Sequence, residues 1–465
     1  MTVHFDRKSE MKKISIIIFL LAVVCYCWGQ KLPSVTGWKD GSHYLEQVRE
    51  GRKSVLYAVD VRTGERTPYT SPEKKASTEV KVSDGEVVYT APDGSQKQLT
   101  RTPAEEKNPM LSPDGKWVAF TRDNDLYAIE IASGREVRYT ENGSEVIKNG
   151  YASWVYYEEI LGRSSEYRSF WWSPDSRYLA FFRADDSRVP VYPLYNVKGQ
   201  HGELEINRYP RAGDPNPEVR VGIVSVEGGE VVWADFNSET DQYFGTPFWR
   251  SDGSGLLVQW MPREQNNLKL YNVNPVTGGK SEIYNEEQPT WVNWITSLHW
   301  VKDGFMMIRD FDGWEQIYLH NSDGSLRQKL TSGRKWNTKI VRIDEKNRQV
   351  YFTSKGEIST RNDFYCVGFD GKRQRRLTFG EYNHRNIRLS PDNRYFLTQY
   401  DNSSTPTCLG VVNVKNGKVK VLGDLKDADF DSTKMEKKEM LWLTTAEGFK
   451  IPAIVRWPRN MEKGK

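Results

Sequence analysis

Short alternating apolar runs, each closed by a turn residue, recur along this chain from about Thr36 to Leu422. The clearest unit is Ser-Pro-Asp, a turn residue, a basic residue, an aromatic and then an apolar strand. It reads Ser112-Pro113-Asp114-Gly115-Lys116-Trp117-Val118-Ala119-Phe120, returns at Ser173 to Phe181, and returns again at Ser390 to Leu397. Proline sets φ for a turn and aspartate caps it, so each copy predicts a tight turn feeding a buried strand. A second pattern is an alternating strand that ends at a glycine turn. Leu56-Tyr57-Ala58-Val59-Asp60 runs into Thr63-Gly64, Leu126 to Glu130 into Ser133-Gly134, and Phe364 to Val367 into Asp370-Gly371. These are hairpin signals. Threonine-ended strands often follow, as in Tyr139-Thr140, Leu330-Thr331 and Leu377-Thr378.

Such turn-strand-hairpin units start near residues 38, 80, 108, 170, 246, 298, 339 and 386. Units of about 40 to 50 residues holding four short strands each are propeller blades. The expected fold is therefore all-β: an eight-bladed β-propeller over residues 30–440, with seven blades as the alternative count and an open β-sandwich array as the alternative architecture. The spacing stretches around the third and fourth units, which places insertions there.

Two stretches break the pattern. The first, Glu141 to Arg168, contains Asn149 to Arg163, reading NGYASWVYYEEILGR, in which the part from Trp154 to Leu161 has no alternation and stops at Gly162. It predicts a short helical turn projecting from a blade edge. Glu158 and Glu159 stand side by side among Tyr151, Trp154, Tyr156 and Tyr157. Two solvated acids are the plain reading of such a pair. The functional reading is that a primary ammonium, with three donors and no acceptor, bridges the two carboxylates, as a peptide N-terminus or a lysine tip would. The second stretch, Ser187 to Asn216, is rich in Pro and Tyr and reads as an extended irregular excursion.

Composition narrows the class. Aromatics make up 12% of the chain, with 16 Trp and 24 Tyr, which suits many half-buried strands. Net charge is +4, and the first thirty residues hold four basic and two acidic residues, leaving 62 basic against 60 acidic. That balance speaks against a nucleic-acid partner and offers no polybasic run for a membrane surface. Lys12 and Lys13 precede the apolar run Ile14 to Val24, a signal-peptide pattern over residues 1–29 with Met11 as the expected start. The run is short for a membrane span, so membrane contact is expected only if the segment stays uncleaved. The expected location is exported, periplasmic or cell-surface. Cys366 and Cys408 remain after cleavage, read as buried free thiols with a disulfide as the alternative. No Cys/His spacing suggests a metal, and no cofactor is called for.

The run NGYASWVYYEEILGR, the later FWWSPDSRYLAFFRADDSRVPVYPLY and the later RYPRAGDPNPEVRVGIVSV together resemble the propeller of the dipeptidyl peptidase IV family, within the prolyl oligopeptidase clan of serine peptidases. The resemblance covers nearly all of the chain after its signal segment. It implies that Glu158 and Glu159 hold the N-terminal ammonium of a peptide substrate, and that Arg101 helps bind a substrate carbonyl. The family usually carries acids at the positions of Ser153 and Tyr157, so subsite shape departs here. It further implies an exopeptidase releasing X-Pro dipeptides, with Leu441 to Pro458 as the first strands of an α/β-hydrolase domain. No G-x-S-x-G elbow occurs and the six His show no triad pattern. The Ser-Asp-His residues are thus expected beyond Lys465, and this chain alone is expected to be inactive. The expected partners are peptides with a free N-terminus, with a homodimer left open. The alternative function is a non-catalytic exported propeller that binds a peptide or protein. A carbohydrate site is weaker, since glycosidase acids stand about 5 Å or more apart across a sugar.

Overall fold

A computed structural model describes residues 32–71, 78–426, 430–431 and 436–458; the signal-peptide stretch lies outside the described residues. Eight antiparallel sheets of three to five strands follow one another along the chain. They span residues 34–68, 79–98, 106–138, 147–233, 242–287, 299–329, 336–376 and 383–424, and are called sheets 1 to 8 here. Seven of them begin within a few residues of a unit start read from the sequence; sheet 4 opens at Ile147, well before the start read near residue 170, because its first strand is interrupted by the acidic segment. Most are simple meanders in which neighbouring strands are consecutive in sequence. Two further two-stranded pieces stand apart, Val191–Asn196 with Glu203–Arg208, and Lys437–Thr444 with Lys450–Trp457.

The core lies between sheets. Phe120 and Ile129 of sheet 3 meet Val87 of sheet 2, and Phe182 and Val221 of sheet 4 meet Phe244 and Val258 of sheet 5. The same face-to-face packing continues from sheet 5 through sheet 8. It then returns to the beginning, with Leu397 and Val411 of sheet 8 against Tyr44 and Val59 of sheet 1. The ring closes through side chains rather than a shared strand. At that seam Trp38 Nε1 donates to Arg388 O at 2.9 Å, and Lys420 Nζ donates to Val61 O at 3.0 Å.

The three Ser-Pro-Asp turns are built alike. Each serine hydroxyl donates to the aspartate two residues on, at 2.6, 2.6 and 2.8 Å. It also accepts from the backbone N–H of the aromatic that opens the strand, Trp117, Tyr178 or Tyr395, at 3.0, 2.9 and 3.0 Å. The threonine endings have an equally specific use. Thr140 Oγ1 accepts from Leu126 N at 3.0 Å and donates to Asp125 Oδ1 at 2.6 Å. Thr331 does the same with Ile317 N and Gln316, and Thr378 with Phe364 N and Asp363. Each hydroxyl pins the end of a sheet to its third strand. Thr140→Val keeps the shape but strands the buried Leu126 N–H and removes one donor from Asp125. Urea unfolding is expected to show a loss of about 1–3 kcal/mol; a change near zero would mean that the pin carries no stability.

Residues 187–216 differ from the irregular excursion expected. Their centre is a regular hairpin, with Val191 opposite Arg208 through to Asn196 opposite Glu203. The prolines fit because neither strand joins a larger sheet, so a missing N–H at an outward edge position costs no ladder bond. Cys366 and Cys408 are buried free thiols, as the favoured reading had them. Among the described residues no helix is long and apolar enough to cross a membrane.

Candidate functional site

The acidic segment interrupts the first strand of sheet 4. Ile147–Asn149 pairs with one end of Tyr178–Asp185, and Phe170–Trp172 pairs with the next residues of that same strand. Between them the chain leaves the sheet edge and returns to it. Gly150 N donates to Phe182 O, and Phe182 N to Ser169 O, each at 2.9 Å, so the exit and re-entry share one residue of the inner strand. Gly150 makes the exit at φ 71°, where a Cβ would lie 3.1 Å from Leu126 Cδ1. A β-carbon is poorly tolerated on both counts. Just before it, the buried Asn149 donates from Nδ2 to Asp125 Oδ1 and to Asn142 Oδ1, both at 3.0 Å. The base of the excursion is thereby tied to the threonine pin of sheet 3.

The two limbs of the excursion hold each other. Tyr151 bridges Arg168, and Ala152 N donates to Tyr167 O at 2.7 Å. Three tyrosine rings stack in series: Tyr151 on Tyr167 at 5.0 Å between centroids, and Tyr167 on Tyr157 at 3.8 Å. Burial first, then the neighbouring phenols, pushes the Tyr167 hydroxyl up to about 12. The anchor is Tyr156, which is 2% exposed and accepts from Phe244 N of sheet 5 at 3.1 Å. Its ring also meets Phe182 edge-on at 5.9 Å. Burial pushes this phenol well above its ordinary range.

The expected helical turn is present, in a wider form than an α-helix. Tyr156–Ile160 is a π-turn, closed by Leu161 N donating to Tyr156 O at 2.7 Å. A wider turn rotates successive side chains by less than the roughly 100° of an α-helix, which brings adjacent residues toward a common direction. Glu158 and Glu159 are the middle of this turn. The Glu158 side chain is 15% exposed, and its Oε2 accepts from Arg163 Nε at 2.7 Å. Arg163 itself is 75% exposed, and the contact raises its affinity for its proton. Glu159 is exposed, with no hydrogen bond or ion pair among the described residues. Ser153 sits beneath the turn, 1% exposed, with no partner for its hydroxyl among the described residues.

Arg101 is placed differently. It lies on the exposed loop after sheet 2, and no hydrogen bond or ion pair joins it to either glutamate. Arg163 and Tyr167 are the neighbours that sequence reading missed. Arg163 lies inside the motif that drew attention, while the aromatic at 167 fell just outside it.

The family model for the dipeptidyl peptidase IV N-terminal region matches residues 42–407. This chain belongs to the dipeptidyl peptidase IV family. Among curated relatives, dipeptidyl peptidase 4 of Arthroderma otae is 28% identical over 392 residues, which cover 80% of this chain and 46% of that protein. The probable dipeptidyl peptidase 4 of Arthroderma benhamiae is 31% identical over 348 residues, 71% of this chain and 40% of that one. The chain thus spans about half the length of the curated family members it matches. Among solved structures, Porphyromonas gingivalis dipeptidyl peptidase 4 aligns with a TM-score of 0.68 at 23% identity, over 97% of this chain and 67% of that one. A putative dipeptidyl aminopeptidase IV from Bacteroides ovatus gives 0.64 at 22%, over 94% and 66%. At those identities the likeness is one of fold, and it identifies the ring of sheets as the family's propeller.

Proposed function

We propose that this chain is the part of an exported serine exopeptidase that anchors substrate and restricts entry, acting on peptides with a free N-terminus and releasing X-Pro dipeptides. The observation that carries the reading is the acidic pair on a wide turn. Among the described residues one carboxylate has no hydrogen bond or ion pair, and the other is held only by an exposed arginine. The arginine end of the pair is solvated, so an incoming ammonium can take its place on Glu158 while Arg163 keeps its charge in water. The ammonium then bridges Glu158 and Glu159 through charge-assisted hydrogen bonds. Two extended residues span roughly 7 Å, so a fixed amine and a fixed nucleophile select the second peptide bond. In this reading Arg101 meets a substrate carbonyl from the loop between sheets 2 and 3.

The nucleophile belongs to a domain that the hairpin Lys437–Trp457 begins. Support comes from its surface: Leu443 is 55% exposed, Phe449 69% and Ile454 58%. Large apolar side chains that exposed, on both faces of a two-stranded piece, call for a cover. The test is direct. The full-length protein is expected to release dipeptide from a Gly-Pro chromogenic substrate, and failure to do so would favour a propeller that binds peptides without cutting them.

A further inference from the structure

Sheets 6 and 7 form a second concavity that shares no residue with the acidic turn. A cavity of about 600 Å³ is lined by Arg327, Lys346, Arg348 and Arg373, with Phe369 at its wall and Asp370 as its one acid. These residues come from the fourth strand of sheet 6 and from two turns of sheet 7. Four positive charges against one negative stand out in a chain whose balance is otherwise nearly even. None of the four cationic side chains makes a hydrogen bond or ion pair among the described residues. Asp370 offsets one of the four charges, leaving the lining at about +3, and its Oδ1 accepts from Lys372 N at 3.0 Å within its own turn. An adjoining recess of about 280 Å³ adds Lys302 together with Asp303 and Glu345, and Glu345 is engaged by the Lys302 backbone N–H at 2.9 Å.

Two details argue that this is more than a solvated basic patch. Arg348 is oriented, its guanidinium 4.8 Å from the centre of the buried Phe369 ring. A guanidinium resting over an aromatic ring keeps hydrogen-bond donors available for an oxyanion, because the ring engages none of them as an acceptor oxygen would. In addition, Arg348 and Arg373 both occupy left-handed backbone, at φ 52° and 57°. Glycine or asparagine adopts that conformation readily, whereas a long side chain is strained there by about 1–3 kcal/mol. Two strained arginines at one cavity, neither with a carboxylate or hydrogen-bond partner for its guanidinium among the described residues, leave their donors turned to a use that the fold does not supply. Like charges gathered in a concave site repel one another and focus their field on a counter-ion.

We propose that this concavity binds a multiply charged oxyanion of the phosphate or sulfate type, either free or displayed on a surface. The site is independent of the peptide-amine reading. Calorimetric titration of the full-length protein with pyrophosphate tests the free form. Co-sedimentation with phosphatidic acid vesicles, whose headgroup is a phosphomonoester, against phosphatidylcholine vesicles, tests the displayed form. The decisive variant is the double Arg348→Gly, Arg373→Gly. It is expected to weaken whichever binding occurs at least tenfold while leaving the thermal midpoint unchanged or higher, since glycine relieves the left-handed strain. Pyrophosphate binding alone assigns a free ligand, and sedimentation with the anionic vesicles alone assigns a lipid headgroup. Absence of both in the wild type overturns the proposal, as does equal binding by wild type and variant. Should the double glycine variant fail to fold, Arg327→Gln with Lys346→Gln, at exposed side chains that make no hydrogen bond, carries the same readout.

Discussion

Replacing Glu159 or Glu158 by alanine in the full-length protein is expected to lower kcat/KM for a Gly-Pro chromogenic substrate by on the order of a hundredfold. A hydrogen bond to a charged group contributes about 1.5–3 kcal/mol, and each 1.4 kcal/mol is a factor of ten. The two positions differ in kind. Glu158 is mostly covered, so its field is less screened, but Arg163 competes for it; Glu159 is exposed and has no competitor. Arg163→Ala should therefore act in the opposite direction and improve KM, by no more than about fivefold, as an exposed pair allows. Amine anchoring can be separated from damage to the turn with an N-acetylated substrate, which has no ammonium to hold. Wild type and mutants should process it equally poorly. pH gives a second check, because a peptide amine loses its proton near pH 8. The advantage of wild type over mutant should be present below that pH and fade above it. Unchanged turnover in both glutamate mutants would end the proposal.

The largest stability effect is expected at Glu286. Its carboxylate meets Arg309 Nε at 2.7 Å, with the two side chains 4% and 3% exposed. Tyr284 donates to the same oxygen at 2.6 Å, and Arg309 also reaches Asn293 O at 2.8 Å. Glu286→Ala leaves a guanidinium inside the protein without its counter-charge, and breaking such a pair costs about 3–5 kcal/mol. The urea midpoint should fall accordingly. The double replacement Glu286→Met, Arg309→Met removes both charges and should recover most of the loss, since apolar packing of similar volume often equals a buried pair. A single-mutant loss below about 1 kcal/mol would mean that water reaches Arg309 once Glu286 is gone.

Much of the fold was legible because its signals are local. The Ser-Pro-Asp turns and the glycine turns carry their own geometry, so seven of the eight unit starts could be read to within a few residues; the fourth could not, because the strand Ile147–Asn149 is separated from its Ser-Pro-Asp turn by the acidic segment. The purpose of the terminal threonines could not be read, because their partners are a backbone N–H and an acid or amide fourteen or fifteen positions earlier, across a strand pairing. The prolines between Ser187 and Asn216 suggested irregularity, yet a hairpin standing outside every larger sheet tolerates them. The acidic turn was legible in place and in composition. Its π geometry was not, because that depends on Tyr156 being held by sheet 5. Nor was the Glu158–Arg163 contact, which needs the chain to reverse at Gly162.

The seam between sheets 8 and 1 has a kinetic meaning. Almost all of the packing joins residues of one sheet or of adjacent sheets, whereas the seam joins residues about 350 positions apart in sequence. The entropy of closing a loop grows only with the logarithm of its length, so the ring meets that cost once, however many sheets it holds. Growth by addition of neighbouring sheets keeps the steps from sheet 2 to sheet 8 local, and the docking of sheet 1 on sheet 8 is the long-range step.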